Sequence, residues 1–195
     1  MQPGCGDRLQ PQARIGQSAA MSMHEIETPR LRLRRFIAAD ADAYFEIRRK
    51  PAVGRFLPSF RGADDAEIRA RTLATMTSFA QHWAEHGYGP WAAIDKERAR
   101  LVGHCGLRFL PEHGETEILY AFDDAVWGTG LATEAAIAAR DYGFAVLKLP
   151  RLIAMIVPEN RGSIRVIEKA GLRADGRSSF LGNPVLRYAL ARSRA

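Results

Sequence analysis

Cysteine is scarce in this chain of 195 residues: Cys5 stands in the leading segment and Cys105 inside an apolar stretch. Two such residues supply neither a disulfide framework nor a zinc cluster, so a reducing compartment fits and the cytoplasm is the expected location. Long apolar runs are missing as well. No stretch approaches the ~18 consecutive apolar residues of a membrane span, and the opening segment lacks a signal-peptide core, so a soluble protein with no membrane partner is expected. There is also no long basic run and no basic stretch interleaved with aromatics. A formal net charge of +6 and a pI near 9.7 attract anions in general without pointing to nucleic acid. The arginines are spread out, with one cluster at Arg30, Arg32, Arg34 and Arg35. Of five histidines, His82 and His86 share a helical spacing, but no further ligand accompanies them and no metal is expected.

What is present suits one globular domain. A hydrophobic content of 47% is ample for a core, and the length is short for two domains. Residues 1–22 are rich in Gln, Gly, Pro and Ala without an apolar face, and read as a disordered leader before a single domain over 23–195. Met21 and Met23 stand at its end, so a native leader and an upstream start-codon assignment both fit.

From Arg30 to Arg34 Arg and Leu alternate, a period of two that predicts a half-buried strand with solvated arginines. Asp40 is placed to cap a short helix carrying Tyr44 and Ile47, ended by Pro51. Ile68, Thr72, Met76, Phe79 and Trp83 predict a longer helix from about Asp64 to Gly87. Strands are expected around Trp91–Ile94, Leu101–Phe109 and Glu117–Phe122, joined by short polar turns and hence antiparallel. Leu131, Ala135, Ala138, Tyr142 and Val146 form the next helical face. An apolar run from Leu152 to Val157 predicts a central strand, Asn160–Ala170 a helix capped by Gly171, and Pro184–Leu190 a last strand. The order describes an α/β (α+β) protein with a mixed, mostly antiparallel central sheet flanked by helices.

The segment Trp127, Gly128, Thr129, Gly130, Leu131, Ala132, Thr133 and Glu134 leads from a strand into a helix. Glycines there allow close approach of a bulky anion, and backbone amides at a helix start suit a pyrophosphate. A plain strand-to-helix turn has the same glycines for geometry alone. A dinucleotide fingerprint is the rival, but its third glycine position holds Thr133 and the stretch follows several antiparallel strands.

This segment resembles the coenzyme A pyrophosphate-binding motif of the Gcn5-related N-acetyltransferase (GNAT) superfamily, with Trp127 in place of the usual Gln or Arg. The form from Trp127 to Ala135 and the opening from Glu27 to Arg34 are similar to the RimJ/RimL-like branch of ribosomal-protein N-acetyltransferases. Asn160, Arg161, Gly162 and Ser163, followed by Glu168, Lys169, Ala170, Gly171 and Leu172, resemble that branch's Asn-x-x-Ser helix. Together they cover about residues 26–190. The resemblance implies the GNAT acyl-CoA N-acyltransferase fold and acetyl-CoA as cosubstrate. The acceptor it implies is a primary amine, with a peptide N-terminus as the branch-based reading and small molecules open. A homodimer rests on resemblance alone.

Residue roles follow the same likeness. Residues 127–133 and Asn160 would hold the cofactor, and a backbone amide near Ala121 or Phe122 would polarise the thioester carbonyl. Glu117 matches the Glu of a Glu-x-x-Tyr segment and would act as general base; as an exposed strand residue it would do nothing. Superfamily members often place a leaving-group tyrosine where this chain has Ile167, so Ser163 is the expected donor to the departing sulfur. Read structurally, Asn160 is an N-cap and Ser163 satisfies a first-turn amide. Cys105, in an apolar setting, is expected to be inert, so attack is direct and forms no acyl-enzyme. A non-catalytic acyl-CoA sensor is the alternative from another class.

Overall fold

A computed structural model describes residues 24–57, 60, 62–180 and 182–192. The expected leader, residues 1–22, lies outside the described residues. Among the described residues eight strands form one sheet: β1 (Ile26–Glu27), β2 (Leu31–Arg34), β3 (Pro90–Asp95), β4 (Arg100–Leu110), β5 (Glu115–Phe122), β6 (Arg151–Ile156), β7 (Arg173–Phe180) and β8 (Asn183–Ala191). The helices are α1 (Ala41–Arg48), α2 (Pro51–Gly54), α3 (Asp65–His86), α4 (Leu131–Ala145) and α5 (Arg161–Lys169). Strand order is β1-β2-β3-β4-β5-β6-β8-β7. Every neighbouring pair is antiparallel except β5 and β6, which α4 connects.

The sheet is covered on both faces, and strand alternation sorts the side chains. Cys105, Leu107, Ile118 and Phe122 belong to the larger core under α4 and α5, with Ala135, Ala139, Ile164 and Ile167. On the opposite face Tyr44 and Ile47 of α1 pack on Ala92 and Leu101, with Met76 of α3 beside them. Small residues at 135, 136 and 139, all fully buried, let α4 lie close to the strands.

Local signals explain the helix limits. Asp64 accepts from the Glu67 amide at 2.8 Å and Glu67 accepts from the Asp64 amide at 3.1 Å, a reciprocal cap that starts α3. Gly87, at φ 72°, ends it in the left-handed conformation that glycine adopts without strain. Pro51 ends α1 as expected, and it also opens α2 as its first residue, where its missing N–H costs nothing.

Some expectations fail for identifiable reasons. Strand β7 carries no apolar alternation, because it is an edge strand, mostly exposed and paired only with β8. Val146, assigned to the buried face of α4, is 58% exposed because the helix ends at Ala145. Asp40 does not cap α1 with its side chain; it is buried and takes both Arg34 Nη1 and Nη2 at 2.7 Å and the Ile37 amide at 2.9 Å. Arg34 is thus a paired group rather than a solvated one.

A second ion-pair knot ties α1–α2 to the end of β5. Asp123, almost fully buried, is held by Lys50 at 2.5 Å and Arg100 at 3.0 Å, while Lys50 also reaches Asp124 at 2.9 Å. Burial alone would raise the Asp123 carboxyl. The hydrogen bonds from Lys50, the Ala125 amide and Arg100 outweigh it and bring the carboxyl from 3.8 to about 2. A depressed folded value stabilises the fold above the unfolded value, and that contribution, roughly 2 kcal/mol, fades as pH falls from about 4 toward 2. Urea midpoints recorded from pH 7 to pH 3 are expected to drop steeply below pH 4 for the wild type. Asp123→Asn is expected to start lower at pH 7 and to lose less on acidification.

Candidate active site

The parallel pair β5 and β6 meets at one register position, Glu117 opposite Ile153. Beyond it β6 pairs with β8 from Arg151 to Ile156 on its far side, and toward its C-terminal end β5 leaves it. The result is a wedge opening in the middle of the sheet. Asp123 N–H donates to Val102 O at 2.8 Å, and the β4–β5 register runs unbroken from Gly103 opposite Phe122 to Leu110 opposite Glu115. Alternation in such a ladder turns the amides of Ala121 and Leu119 toward β4, and those of Phe122 and Tyr120 toward the wedge. Of the two residues expected to offer an oxyanion donor, Phe122 has the amide facing the opening and Ala121 does not.

The glycine turn lies at the mouth of the wedge. Gly128 and Gly130 have φ of 79° and 87°, and a Cβ on Gly128 would meet no atom within 4 Å, which leaves its surroundings open to a ligand. Helix α4 starts at Gly130 without a side-chain cap, so its first amides, at Leu131, Ala132 and Thr133, remain free for an anion. Leu131 and Ala132 turn their side chains to the core; they contribute backbone. Thr133 lines a groove of about 520 Å³ with Thr28, Arg30 and Gly130. Thr129 Oγ1 donates to Val126 O at 2.8 Å, stabilising the turn. Trp127, 43% exposed, donates its indole N–H to Phe122 O at 2.9 Å. It thereby satisfies a carbonyl that the separating strands leave unpaired.

Glu134 joins the two motifs read from the sequence. It accepts from Thr28 Oγ1 at 2.6 Å, Arg30 N at 2.8 Å and Arg30 Nε at 2.7 Å, and Arg30 Nη1 donates to Thr129 O at 2.9 Å. The segment before β2 is therefore a brace for the glycine turn. Arg30, expected to be solvated, is part of that brace.

The two expected catalytic residues lie on opposite faces of the sheet. Glu117 shares the α1 face with its strand partner Arg108. It is buried, 4% exposed, which overturns the reading of an exposed strand residue. Arg108 donates from Nε at 2.8 Å and from Nη2, both to Glu117 Oε1. Burial pushes the Glu117 carboxyl above the usual carboxylate range, with Arg108 opposing. On the other face Ser163 Oγ lies 2.7 Å from Tyr120 Oη, and Tyr120 Oη donates to Ser163 O at 3.0 Å. Asn160 caps α5, accepting from the Ser163 amide at 3.0 Å. Ile167 is fully buried in the larger core.

Tyr120 escaped the sequence reading, although the Glu-x-x-Tyr segment contained it. Its hydroxyl reaches α5 from a strand, so no spacing within α5 could announce it. Cys105 is fully buried and burial pushes its thiol well up. His82 uses both ring nitrogens on backbone, with Tyr88 O at 2.8 Å and the Phe109 amide at 2.9 Å; neither is available to a metal.

A sheet parted between two parallel strands, with a glycine turn and helix-start amides at the mouth, is the architecture of a transferase site suited to an anionic cosubstrate. Residues 30–173 match the acetyltransferase (GNAT) domain family, and the chain belongs to that family. It is an N-acyltransferase. The chain is 30% identical over 155 residues to an uncharacterized N-acetyltransferase, p20, of Bacillus licheniformis, covering 79% of this chain and 85% of that one. It is 43% identical over 94 residues to the uncharacterized protein YkkB of Bacillus subtilis, where the match spans 45% of this chain and only 54% of that one. A spermidine N(1)-acetyltransferase of Escherichia coli is 35% identical over 122 residues, 53% of this chain and 66% of that enzyme. The crystal structure of an acetyltransferase from Agrobacterium tumefaciens superposes with a TM-score of 0.76 at 25% identity, covering 91% of this chain and 99% of that one.

The Tyr120–Ser163 bond links β5 to α5 across the wedge. Tyr120→Phe removes both hydrogen bonds of its hydroxyl to Ser163 and is expected to lower the unfolding free energy by about 2 kcal/mol, about 1 kcal/mol for each. Thermal denaturation beside Ser163→Ala checks it, and the double variant is expected to cost less than the two single changes together.

Proposed function

We propose that this enzyme transfers the acetyl group of acetyl-CoA to a primary amine, first of all a peptide N-terminus, by direct attack in a ternary complex. The observation that carries the reading is the wedge with a buried carboxylate on one face and a hydroxyl pair on the other. The open surroundings of Gly128 and the free amides of residues 131–133 suit the pyrophosphate. Asn160, the cap of α5, follows the C-terminal end of β6, the strand on the other side of the wedge, and would meet the pantetheine arm.

Glu117 takes the proton of the incoming ammonium, directly or through water, with Oε2, because Arg108 occupies Oε1. The neutral amine attacks the carbonyl carbon, and the Phe122 amide meets the developing oxyanion. As the C–S bond breaks, Ser163 Oγ–H swings from Tyr120 Oη, which it meets at 2.7 Å, to hydrogen-bond the thiolate, and the thiolate takes up the proton released by the attacking nitrogen. The RimJ/RimL-like branch is supported by Trp127 and by the brace of Thr28, Arg30 and Glu134. A cytoplasmic location and a homodimer belong to the same reading through the resemblance; light scattering tests the second.

Thiol release from acetyl-CoA with peptides, spermidine and aminoglycosides as acceptors is the direct test. Absence of acetyl-CoA binding in calorimetry would sink the reading. Glu117→Gln is expected to lower kcat/KM by about a hundredfold or more, with acetyl-CoA affinity unchanged. A base must be ionised to work, so the wild-type rate is expected to fall as pH drops through a value above 4.5, the ordinary glutamate value that burial raises here. A pH–rate profile checks this, and the limb should vanish in the variant.

A further inference from the structure

Arg48 in the last turn of α1 is 6% exposed, and its Nε and Nη1 have no hydrogen-bond partner. No carboxylate pairs with it among the described residues. Its guanidinium lies over the rings of Phe60, 4.1 Å away, and Tyr44, 5.0 Å away. Tyr44 Oη in turn lies 2.9 Å from His104 Nδ1. His104 is itself neutral, brought down to about 3 chiefly by burial. Ring faces offset part of the charge. They do not accept the in-plane N–H groups, and a buried cation with unmet donors is costly to a fold.

Tyr44 links this cation to β4, the strand next to the wedge. His104 is the strand partner of Ala121, on the same face of the sheet as Glu117 four residues earlier on β5. Four residues of strand span about 13 Å, and an acceptor with its amine at Glu117 extends along that face toward Arg48. The other charges there are already matched: Arg108 holds Glu117, and Lys50 and Arg100 hold Asp123 and Asp124. A polycation would find no free carboxylate pair among them, whereas an oxygen acceptor would find a forked donor without a partner.

Resting on the acetyl-transfer reading of this site, we infer that Arg48 receives a carbonyl or carboxylate oxygen of the acceptor, so that the substrate is an α-amine bearing such an oxygen rather than a polyamine. Removing an unpaired buried charge should relieve the fold, whereas removing a structural arginine would weaken it. The two roles therefore predict opposite changes in unliganded stability.

The test uses the full chain and Arg48→Met, with Arg48→Lys as the variant that keeps charge without the fork. Thiol release from acetyl-CoA is followed with a tripeptide amide, free alanine and spermidine. The inference expects the peptide or alanine to be preferred over spermidine. In Arg48→Met the KM for that acceptor should rise tenfold or more, with the KM for acetyl-CoA unmoved and the unliganded Tm at or above wild type. Arg48→Lys should recover part of the lost affinity. Preference for the peptide assigns the oxygen to a peptide carbonyl, and preference for alanine assigns it to a free carboxylate. A lowered Tm with unchanged acceptor KM, or preference for spermidine, overturns the inference. If no acceptor releases thiol, acetyl transfer fails as the activity, and N-acetylalanine decides the role of Arg48. A thermal shift in wild type that Arg48→Met abolishes supports it; equal shifts, or none, overturn it.

Discussion

The site depends on one backbone constraint: β5 and β6 share a single register position, Glu117 opposite Ile153, and then part. β6 pairs along its length with β8, and β5 with β4. Each is satisfied on its outer side, so the inner sides can separate without dismantling the sheet. Separation leaves polar backbone facing a gap, and such groups need partners. The indole of Trp127 meets the Phe122 carbonyl from within the chain. The amides of Phe122 and Tyr120 are left facing the gap, where a ligand can use them.

The fold holds its buried carboxylates in matched sets. Asp40 with Arg34, Asp123 with Lys50 and Arg100, and Glu117 with Arg108 are each buried carboxylates met by cations. Isolated, each would carry a large desolvation cost; matched, each fixes a neighbouring element. Glu134 does the same for the turn, drawing the segment before β2 onto the start of α4. The glycines of that turn are free to adopt left-handed angles, and the brace selects among the conformations this freedom allows.

Much of the fold could be read in the residues. The period of two at Arg30–Arg34 and the helical spacing from Ile68 to Trp83 mark elements that form where expected because each buries one face against the core, and the apolar run at Leu152 marks a strand buried on both faces. The edge strand β7 carried no such mark, since an edge strand exposed to solvent needs no apolar alternation. Glycine spacing announced the turn for a related reason: positive φ is demanded locally, and only glycine meets it cheaply.

Partners distant in the chain were not legible. Glu117 could be named as a carboxylate on a strand, yet its burial and its bond to Arg108 arise only when β4 and β5 align. Ser163 could be named on α5, yet the hydroxyl that holds it comes from Tyr120, 43 residues earlier. Arg48 looked like one arginine among many until α1 settled it between Tyr44 and Phe60. The sequence by itself determined the elements, the glycine turn and the family motifs, because propensity, period and positive φ act over a few residues. The tertiary structure alone decided which face each polar group meets and which charges go unpaired, because electrostatic cost depends on what packs nearby, not on position along the chain.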